Sequence, residues 1–325
     1  MHMLKRILAC CAIFALPAHA VTIGVDPGES IQAAIDVATD GDVITVSAGT
    51  YNENIDLRGK AITVVGAGPE SVIRGTGNGP VVTITSGEGS NTVVDSFQIT
   101  GGVADEGGGI VIRDSSPTIV RNVLFNNRAR MQGSGVFIEA SQAVLSNNLI
   151  LYNATARGDP HSVEVTDAAP QLINNTIVRG DSNGIILHGN SPAIVMNNIL
   201  ALNGGRGICD FSTDGSATIH YNLFFRNRRG ALLTKGRNFR RIARAEQKIG
   251  LPRLEGNRDG LPEFLVPLPA RTPGASGVAV EAFTLSTTRP GAGLHAGNPD
   301  PVFNNLDGTR NTLGFTGGPD AVEVP

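Results

Sequence analysis

The chain is 325 residues long and carries 26 basic and 29 acidic residues, which gives a formal net charge of −3. A slightly acidic chain disfavours nucleic acid as the main partner, because binding the phosphate backbone calls for an excess of positive charge. The sequence holds no tryptophan, the residue most used as a flat platform for neutral sugars, so a glycan ligand would be held by charge and hydrogen bonds.

Residues 1–20 have the features of a secretory signal peptide. Lys5 and Arg6 precede an apolar run over residues 7–16, and Ala18-His19-Ala20 supplies a small-residue cleavage site. The apolar run is too short to span a membrane. We therefore expect a secreted or periplasmic mature chain without an integral membrane segment. Two of the three cysteines lie in this peptide, so the mature chain cannot form an internal disulfide.

An amphipathic helix is predicted over residues 30–38, near the start of the mature chain. Ser30 is a suitable N-cap, and Ile31, Ala34, Ile35 and Ala38 lie on one face of the helix. Short strands rich in β-branched residues follow this helix, with glycine and proline between them. They cover residues 43–46, 62–65, 81–84 and 93–99.

From residue 122 onwards the strands recur at a fixed interval, each opened by an asparagine. The asparagines are separated by 26, 27, 23 and 24 residues, and they are Asn122, Asn148, Asn175, Asn198 and Asn222. A second column precedes another short strand in each repeat: Gly109, Gly135, Ser162, Gly184 and Gly207. A repeat this short buries its apolar face only by stacking on the next copy, so the pattern predicts a β-solenoid.

The stacked arrangement assigns roles to the asparagines and to both ends of the chain. One column of asparagines at a turn can bond from coil to coil, and asparagine tolerates left-handed backbone angles. Helix 30–38 is expected to cap the first coil, which otherwise exposes apolar core and unpaired strand edges. We therefore expect a signal peptide at 1–20, a β-helix with its cap over 21–235, and a C-terminal cap over 236–325.

The C-terminal part begins with a basic segment at 237–248 that contains Arg237, Arg240, Arg241, Arg244 and Lys248. It is expected to form a short helix that ends at Gly250, followed by a proline-rich stretch too irregular for coils. One interpretation is a solvated connector that covers the end of the solenoid. The other is a helix that binds a polyanion.

The opening Ser30-Ile31-Gln32-Ala33-Ala34-Ile35, the later Gly49-Thr50-Tyr51-Asn52-Glu53 and the repeats resemble the pectin-lyase-like superfamily. The tail from Ala296-Gly297-Asn298 to Gly317-Gly318-Pro319 is similar to that of many secreted bacterial β-helix proteins. The resemblance implies an all-β, right-handed parallel β-helix. The superfamily includes pectate lyases, polygalacturonases, pectin methylesterases and mannuronan epimerases, so the resemblance fixes the reaction far less than the fold.

Asp159-Pro160-His161 repeats the Asp-Pro-His tripeptide of mannuronan epimerases, without the acidic residue that often follows it. The aspartate and histidine cluster of polygalacturonases and the glutamine and aspartate pair of pectin methylesterases are absent. The repeat frame places Asp159 and Asp181 at equivalent positions of adjacent coils, and likewise Arg157 and Arg179. The predicted catalytic residues are therefore His161, Asp159, Asp181, Arg157 and Arg179, with His161 at a turn beside a groove.

Alternation along the strands that follow the glycine column predicts a second set of outward side chains. This strip, which we expect to bind substrate, consists of Arg113, Glu139, Glu164 and His188. Its carboxylates could hold Ca²⁺ through oxygen ligands, and arginine or histidine could neutralise a uronate carboxylate. The same charged residues also fit an ordinary solvated surface.

Two functions of different classes remain open from the sequence. The first is a lyase or epimerase that acts on an acidic polysaccharide, such as alginate or pectate, by removing the proton at carbon 5 of a uronate. The second is a non-catalytic β-helix that binds glycans or serves as a cell-envelope scaffold. In either case we expect a monomer.

Overall fold

A computed structural model describes residues 20–155, 161–213, 215–264, 280–288 and 291–321. These residues form a right-handed parallel β-helix, which confirms the predicted fold class. Residues 1–19 of the predicted signal peptide lie outside the described part. In the ranges given above, no helix is long and apolar enough to cross a membrane.

Each coil of the helix passes in turn through three long sheets, which we name A, B and C. Sheet A has ten strands: Thr22–Val25, Val43–Val46, Thr63–Gly66, Val93–Asp95, Thr118–Val120, Val144–Ser146, Gln171–Ile173, Ile194–Met196, Thr218–His220 and Leu254–Glu255. Sheet B has nine: Gly49–Tyr51, Ser71–Arg74, Gln98–Thr100, Val123–Phe125, Leu149–Leu151, Thr176–Val178, Ile199–Ala201, Leu223–Phe225 and Arg258–Asp259. Sheet C also has nine: Ile55–Asp56, Val82–Ile84, Ile110–Arg113, Val136–Glu139, Val163–Thr166, Ile185–Gly189, Arg206–Ser212, Gly230–Thr234 and the antiparallel Arg237–Phe239.

A small fourth sheet, D, lies in the longer connections between sheets B and C. Its three strands are Val103–Glu106, Arg128–Gln132 and Ala154–Thr155. The coils stack in register, so that Ile119 pairs with Leu145 and Leu145 with Leu172. These three side chains are buried in the interior. Stacking of identical positions therefore builds one continuous apolar core from strands of only two to seven residues.

The predicted asparagine column is confirmed as a ladder of hydrogen bonds at the corner between sheets A and B. The side-chain oxygen of Asn175 accepts the backbone N–H of Asn148 at 3.0 Å, and Asn198 does the same for Asn175 at 2.8 Å. The Asn175 side-chain nitrogen donates to the Leu145 carbonyl at 2.8 Å. Asn257 continues the ladder by accepting from Asn222. Each asparagine thus pairs backbone groups that the corner removes from the strand ladders.

The left-handed backbone at this corner belongs to the residue before each ladder asparagine. These residues have φ between 54° and 59° and are Arg121, Asn147, Asn174, Asn197 and Tyr221. None of the five ladder residues predicted from the sequence has a positive φ. The ladder asparagines therefore do not use the left-handed conformation that asparagine tolerates. Each keeps a conformation that turns its amide inward, where it contacts the adjacent coil.

A second ladder, which was not predicted from the sequence, follows five successive strands of sheet B. Asn153 accepts from the backbone N–H of Asn127 at 2.9 Å, and Asn227 accepts from Asn203 at 3.1 Å. Gly180 takes the equivalent position in the middle coil and donates its N–H to Asn203 at 3.0 Å. Each position lies five residues after a ladder asparagine, so the same spacing could have revealed it.

Helix α1, Ile31–Val37, covers the first coil as predicted, with Ser30 as its N-cap. Ile31 and Ile35 are fully buried against the interior. The Lys60 ammonium group donates to three carbonyls at the C-terminal end of the helix, where the helix dipole also favours a cation. This contact joins the helix to a neighbouring coil.

Helix α2, Ile242–Ile249, lies at the opposite end beside the hairpin of Gly230–Thr234 and Arg237–Phe239. Its buried residues are Ile242 and Ala245, and it ends at Gly250 as predicted. The chain then returns to sheet A through Arg253. The guanidinium of Arg253 forms an ion pair of 2.5 Å with the buried carboxylate of Asp210.

The C-terminal segment packs along the outer face of sheet B. Its apolar side chains bury the outward residues of that sheet and include Phe264, Phe283, Leu285, Leu313 and Phe315. Asn147 donates to the carbonyls of Phe315 and Gly317, and Asn174 donates to that of Thr312. At Gly314 the backbone approaches the sheet so closely that an added Cβ would lie 2.5 Å from the Thr176 hydroxyl oxygen.

Asn175→Ala is expected to lower the free energy of unfolding by about 3 kcal/mol, because it leaves several buried backbone groups without partners. Denaturant unfolding followed by circular dichroism measures the change. Asn190→Ala is the matched control, since the Asn190 side chain is exposed and outside both ladders. Equal stability of the two variants would contradict a structural role for the ladder.

Candidate functional site

The candidate site lies on the outer face of sheet C, where the strand register divides the predicted strip into two rows. Arg113, Glu139, Thr166 and His188 are aligned across four successive strands. Glu164 is aligned instead with Phe137 and Ile186, one row away. The prediction of one exposed strip is therefore wrong for Glu164, which is 3% exposed. The connections between sheets B and C fold over that row and exclude water.

Arg113 is the centre of an ion-pair cluster at the N-terminal end of this face. Its guanidinium contacts the Glu139 carboxylate and lies 2.5 Å from that of Glu106. The same group lies 5.4 Å from the centre of the Phe137 ring, in cation–π geometry. The hydrogen bond to Glu139 and the neighbouring Glu106 raise the pKa of Arg113, and two of its three guanidinium nitrogens are paired with these carboxylates.

A cleft of about 580 Å³ opens next to this cluster, bordered by Thr83, Asp105, Glu106, Arg113 and Arg130. Arg130 forms an exposed ion pair of 3.0 Å with Asp105. Both guanidinium groups at the cleft thus face carboxylates of the protein itself. An acidic polymer would have to displace these carboxylates before it could bind.

Glu164 is the most perturbed carboxyl group of the face. Burial raises its pKa to about 7, and hydrogen bonds oppose this rise only in part. It accepts the backbone N–H of Gly133 at 3.0 Å and the Gln132 side chain at 3.1 Å. Its contacts therefore hold the loop that covers it.

The imidazole Nε2 of His188 lies 3.5 Å from a carboxylate oxygen of Glu164. On its other side the ring stacks on Phe211 at 5.7 Å, and burial lowers the pKa of His188. Near neutral pH both members of the pair are shifted towards their neutral forms. Of the predicted charged residues, the structure thus joins Arg113 with Glu139 and Glu164 with His188.

His161, predicted at a turn beside a groove, lies in a buried polar cluster between coils and is only 8% exposed. The side-chain oxygen of Asn183 accepts the Arg206 N–H at 2.7 Å, which directs the side-chain nitrogen of Asn183 to Nδ1 of His161 at 3.1 Å. Nδ1 therefore accepts, and the proton of the neutral ring is on Nε2. The Ser182 hydroxyl also contacts Nδ1, at 3.0 Å.

The remaining predicted catalytic residues are divided between described and undescribed parts of the chain. Arg179 is half-buried and follows a strand of sheet B, whereas Asp181 is exposed. Arg157 and Asp159 lie outside the described residues, so their grouping with His161 stays a prediction. Glu106, Gln132 and Phe211 also contact the site but were missed. Glu106 and Gln132 end strands of sheet D, which the repeat pattern did not predict. Phe211 is the register neighbour of His188, so alternation along the next strand of sheet C could have revealed it.

Glu164→Gln should remove a pH dependence of stability that the buried carboxyl group creates. Its pKa rises from 4.5 to about 7 on folding, so the folded state holds a proton that the unfolded chain has released between these values. Stability therefore falls as pH rises through this interval, by up to about 3 kcal/mol. Unfolding at several pH values should show Glu164→Gln gaining stability above pH 7, whereas the exposed-site control Glu70→Gln follows the wild type. An unchanged pH profile in Glu164→Gln would contradict the assignment.

Metal-binding side chains are dispersed in the described part of the protein. Within it, no group of three or more histidine, cysteine, aspartate or glutamate residues could hold a metal ion. Cys209 is buried between Ile186 and Leu233 in the covered row of sheet C. Met196 and His220 are register neighbours on sheet A, but the Met196 sulfur accepts a hydrogen bond from Asn298, and His220 Nε2 contacts the Pro252 carbonyl.

Comparison with known protein families finds a match over residues 35–247, well over half of the chain, to NosD, described as a periplasmic copper-binding protein. No curated protein and no solved structure matches the chain. The match agrees with the predicted β-helix of the pectin-lyase-like type and with the predicted localisation. It lends no support to the mannuronan epimerase motif or to Ca²⁺. Because the match covers well over half of the chain and its coils stack as a β-helix, the chain belongs to the NosD family of periplasmic proteins.

Proposed function

We propose that this protein is a non-catalytic periplasmic scaffold whose β-helix presents fixed surfaces to partners. The observation that carries the proposal is the pairing of Arg113 with both Glu106 and Glu139. A uronate-processing site needs a cation free to neutralise the substrate carboxylate. Here the central guanidinium is already neutralised by the protein, and the nearby Glu164 holds a loop.

The distribution of covered and open surfaces also supports a scaffold. The C-terminal segment covers sheet B, and the loops between sheets B and C cover one row of sheet C. Sheet A keeps exposed outward residues such as Thr45, Gln171 and Ile194, the last at 40%. Because the coils are joined by asparagine ladders, such a surface keeps its shape without a ligand.

The proposed scaffold function does not involve the copper that the family is described as binding. Cu(I) prefers several thiolate, thioether or imidazole ligands converging on one point. Cys209 is buried in register with Ile186 and Leu233, and the pair of Met196 and His220 is engaged with Asn298 and Pro252. These residues do not fit a preformed copper site.

Incubation of the purified protein with alginate, pectate and hyaluronan, with and without Ca²⁺, tests the proposal. We expect no ultraviolet absorbance from unsaturated uronate ends, and no change in uronate composition by NMR of the recovered polymer. An increase in absorbance or a change in uronate composition would contradict the scaffold proposal and indicate an enzyme, if Glu164→Gln abolishes it and the exposed-site control Glu70→Gln retains it.

A second candidate, a lyase or epimerase acting on an acidic polysaccharide at uronate carbon 5, is favoured by one observation. Glu164 has a pKa of about 7 and lies 3.5 Å from His188, which suits proton transfer near neutral pH. The covering loop at Gln132 and Gly133 would have to open for substrate to reach this pair. Activity that also disappears in His188→Ala would support this second function.

A further inference from the structure

The C-terminal end of the solenoid carries a concentrated group of cations around a cleft of about 810 Å³. The cleft lies between the terminal hairpin and helix α2, and its charged residues are Arg237, Arg240, Arg241, Arg244 and Lys248. All five are exposed, and among the described residues none of their side chains has an ion-pair or hydrogen-bond partner. Helix α2 turns its Ile242 and Ala245 to the core. Its cationic side therefore faces solvent.

Neighbouring cations along this segment repel one another. Arg244 and Lys248 lie four residues apart in helix α2, a spacing at which like charges are unfavourable, and Arg240 and Arg241 directly precede the helix. The acidic residue within the helix, Glu246, is turned away and accepts from Asn257 at 2.6 Å. The Asp259 carboxylate accepts the backbone N–H groups of Ile242 and Ala243 at the start of the helix. In the described part of the chain it forms no ion pair with Arg244 or Lys248, so an external anion would relieve the repulsion that remains between them.

Charge along the whole chain is distributed very unevenly. Residues 226–258 contain 11 of the 26 basic residues and only two of the 29 acidic residues, a net charge of +9. The rest of the chain therefore carries −12. An anionic surface repels most of this molecule and attracts one end, so electrostatics alone would orient the solenoid end-on.

An apolar side chain stands beside the cations. Leu251 directly follows the helix C-terminus and is 69% exposed. A basic helix with a neighbouring exposed leucine has the two components of peripheral membrane binding, charge attraction to acidic headgroups and insertion of an apolar anchor. A soluble polyanion would use the first component only.

We propose that this end of the β-helix docks on a membrane surface containing anionic phospholipids, with the cations of the cleft binding headgroup phosphates. The inference goes beyond the scaffold function and does not depend on whether sheet C is catalytic. A polyanionic glycan is disfavoured as the partner because the cations form a compact cleft at one end, whereas a polymer track would extend along several coils.

Sedimentation of the full mature chain with phospholipid vesicles tests the proposal. We expect binding to vesicles of phosphatidylglycerol mixed with phosphatidylcholine, little binding to phosphatidylcholine alone, and release by high salt. Arg240→Gln combined with Arg244→Gln should weaken binding by about 25-fold, since each basic residue near an anionic surface contributes about fivefold. The control, Arg58→Gln with Arg128→Gln, removes two exposed cations elsewhere and should bind like the wild type.

Leu251→Ser should weaken binding by about tenfold through loss of apolar burial. Its control is Leu306→Ser, at a leucine that is 64% exposed in the C-terminal segment.

Equal binding to both vesicle types, or equal loss of binding in the cation variants and their controls, would overturn the proposal. Release from the vesicles by inorganic pyrophosphate or heparin, at an ionic strength at which sodium chloride leaves the protein bound, would replace the membrane with a soluble anion. Unchanged folding of each variant is checked by its unfolding midpoint.

Discussion

The hydrogen bond from a backbone N–H to an asparagine side chain in the adjacent coil is the interaction on which this structure depends. At each corner the strands end, and their buried backbone groups lose their ladder partners. Asn148 and Asn175 restore those partners across the stack while also joining one coil to the next. Because this geometry holds only when equivalent positions are superposed, the ladder keeps three sheets in register at once.

The ladder also determines how the outside of the solenoid is used. In three coils the ladder residue is preceded by a second asparagine, and the pair points in opposite directions. Asn148 and Asn175 turn inward, whereas Asn147 and Asn174 turn outward and bind the C-terminal segment. Elsewhere in the ladder Arg121 and Tyr221 take the outward position. Where the sequence reads Asn-Asn, the coil therefore both builds the core and holds the cover of sheet B.

Charged residues on this protein have two different environments. Around sheet C, Arg113 forms ion pairs with Glu106 and Glu139, and Glu164 binds the backbone of Gly133. These contacts hold loops and neighbouring strands in place. At the C-terminal end Arg240 and Arg244 remain exposed without partners among the described residues. The fold of the family does not define a reaction by itself. In this protein the charged groups that remain available for a ligand lie at the C-terminal end of the solenoid.

The spacing of asparagines and the helix at 30–38 determined the solenoid and its N-terminal cap, because period and capping are local properties of a sequence. Alternation also placed Arg113 and Glu139 correctly on neighbouring strands. The sequence could not show that Glu164 is covered, since the covering residues Gln132 and Gly133 belong to the connection of the preceding coil. Nor could it show that His161 is enclosed by Ser182 and Asn183, which are brought to it only by stacking. Burial, ionisation and access to the site were decided by the tertiary structure, because they depend on contacts between coils that local pattern does not contain.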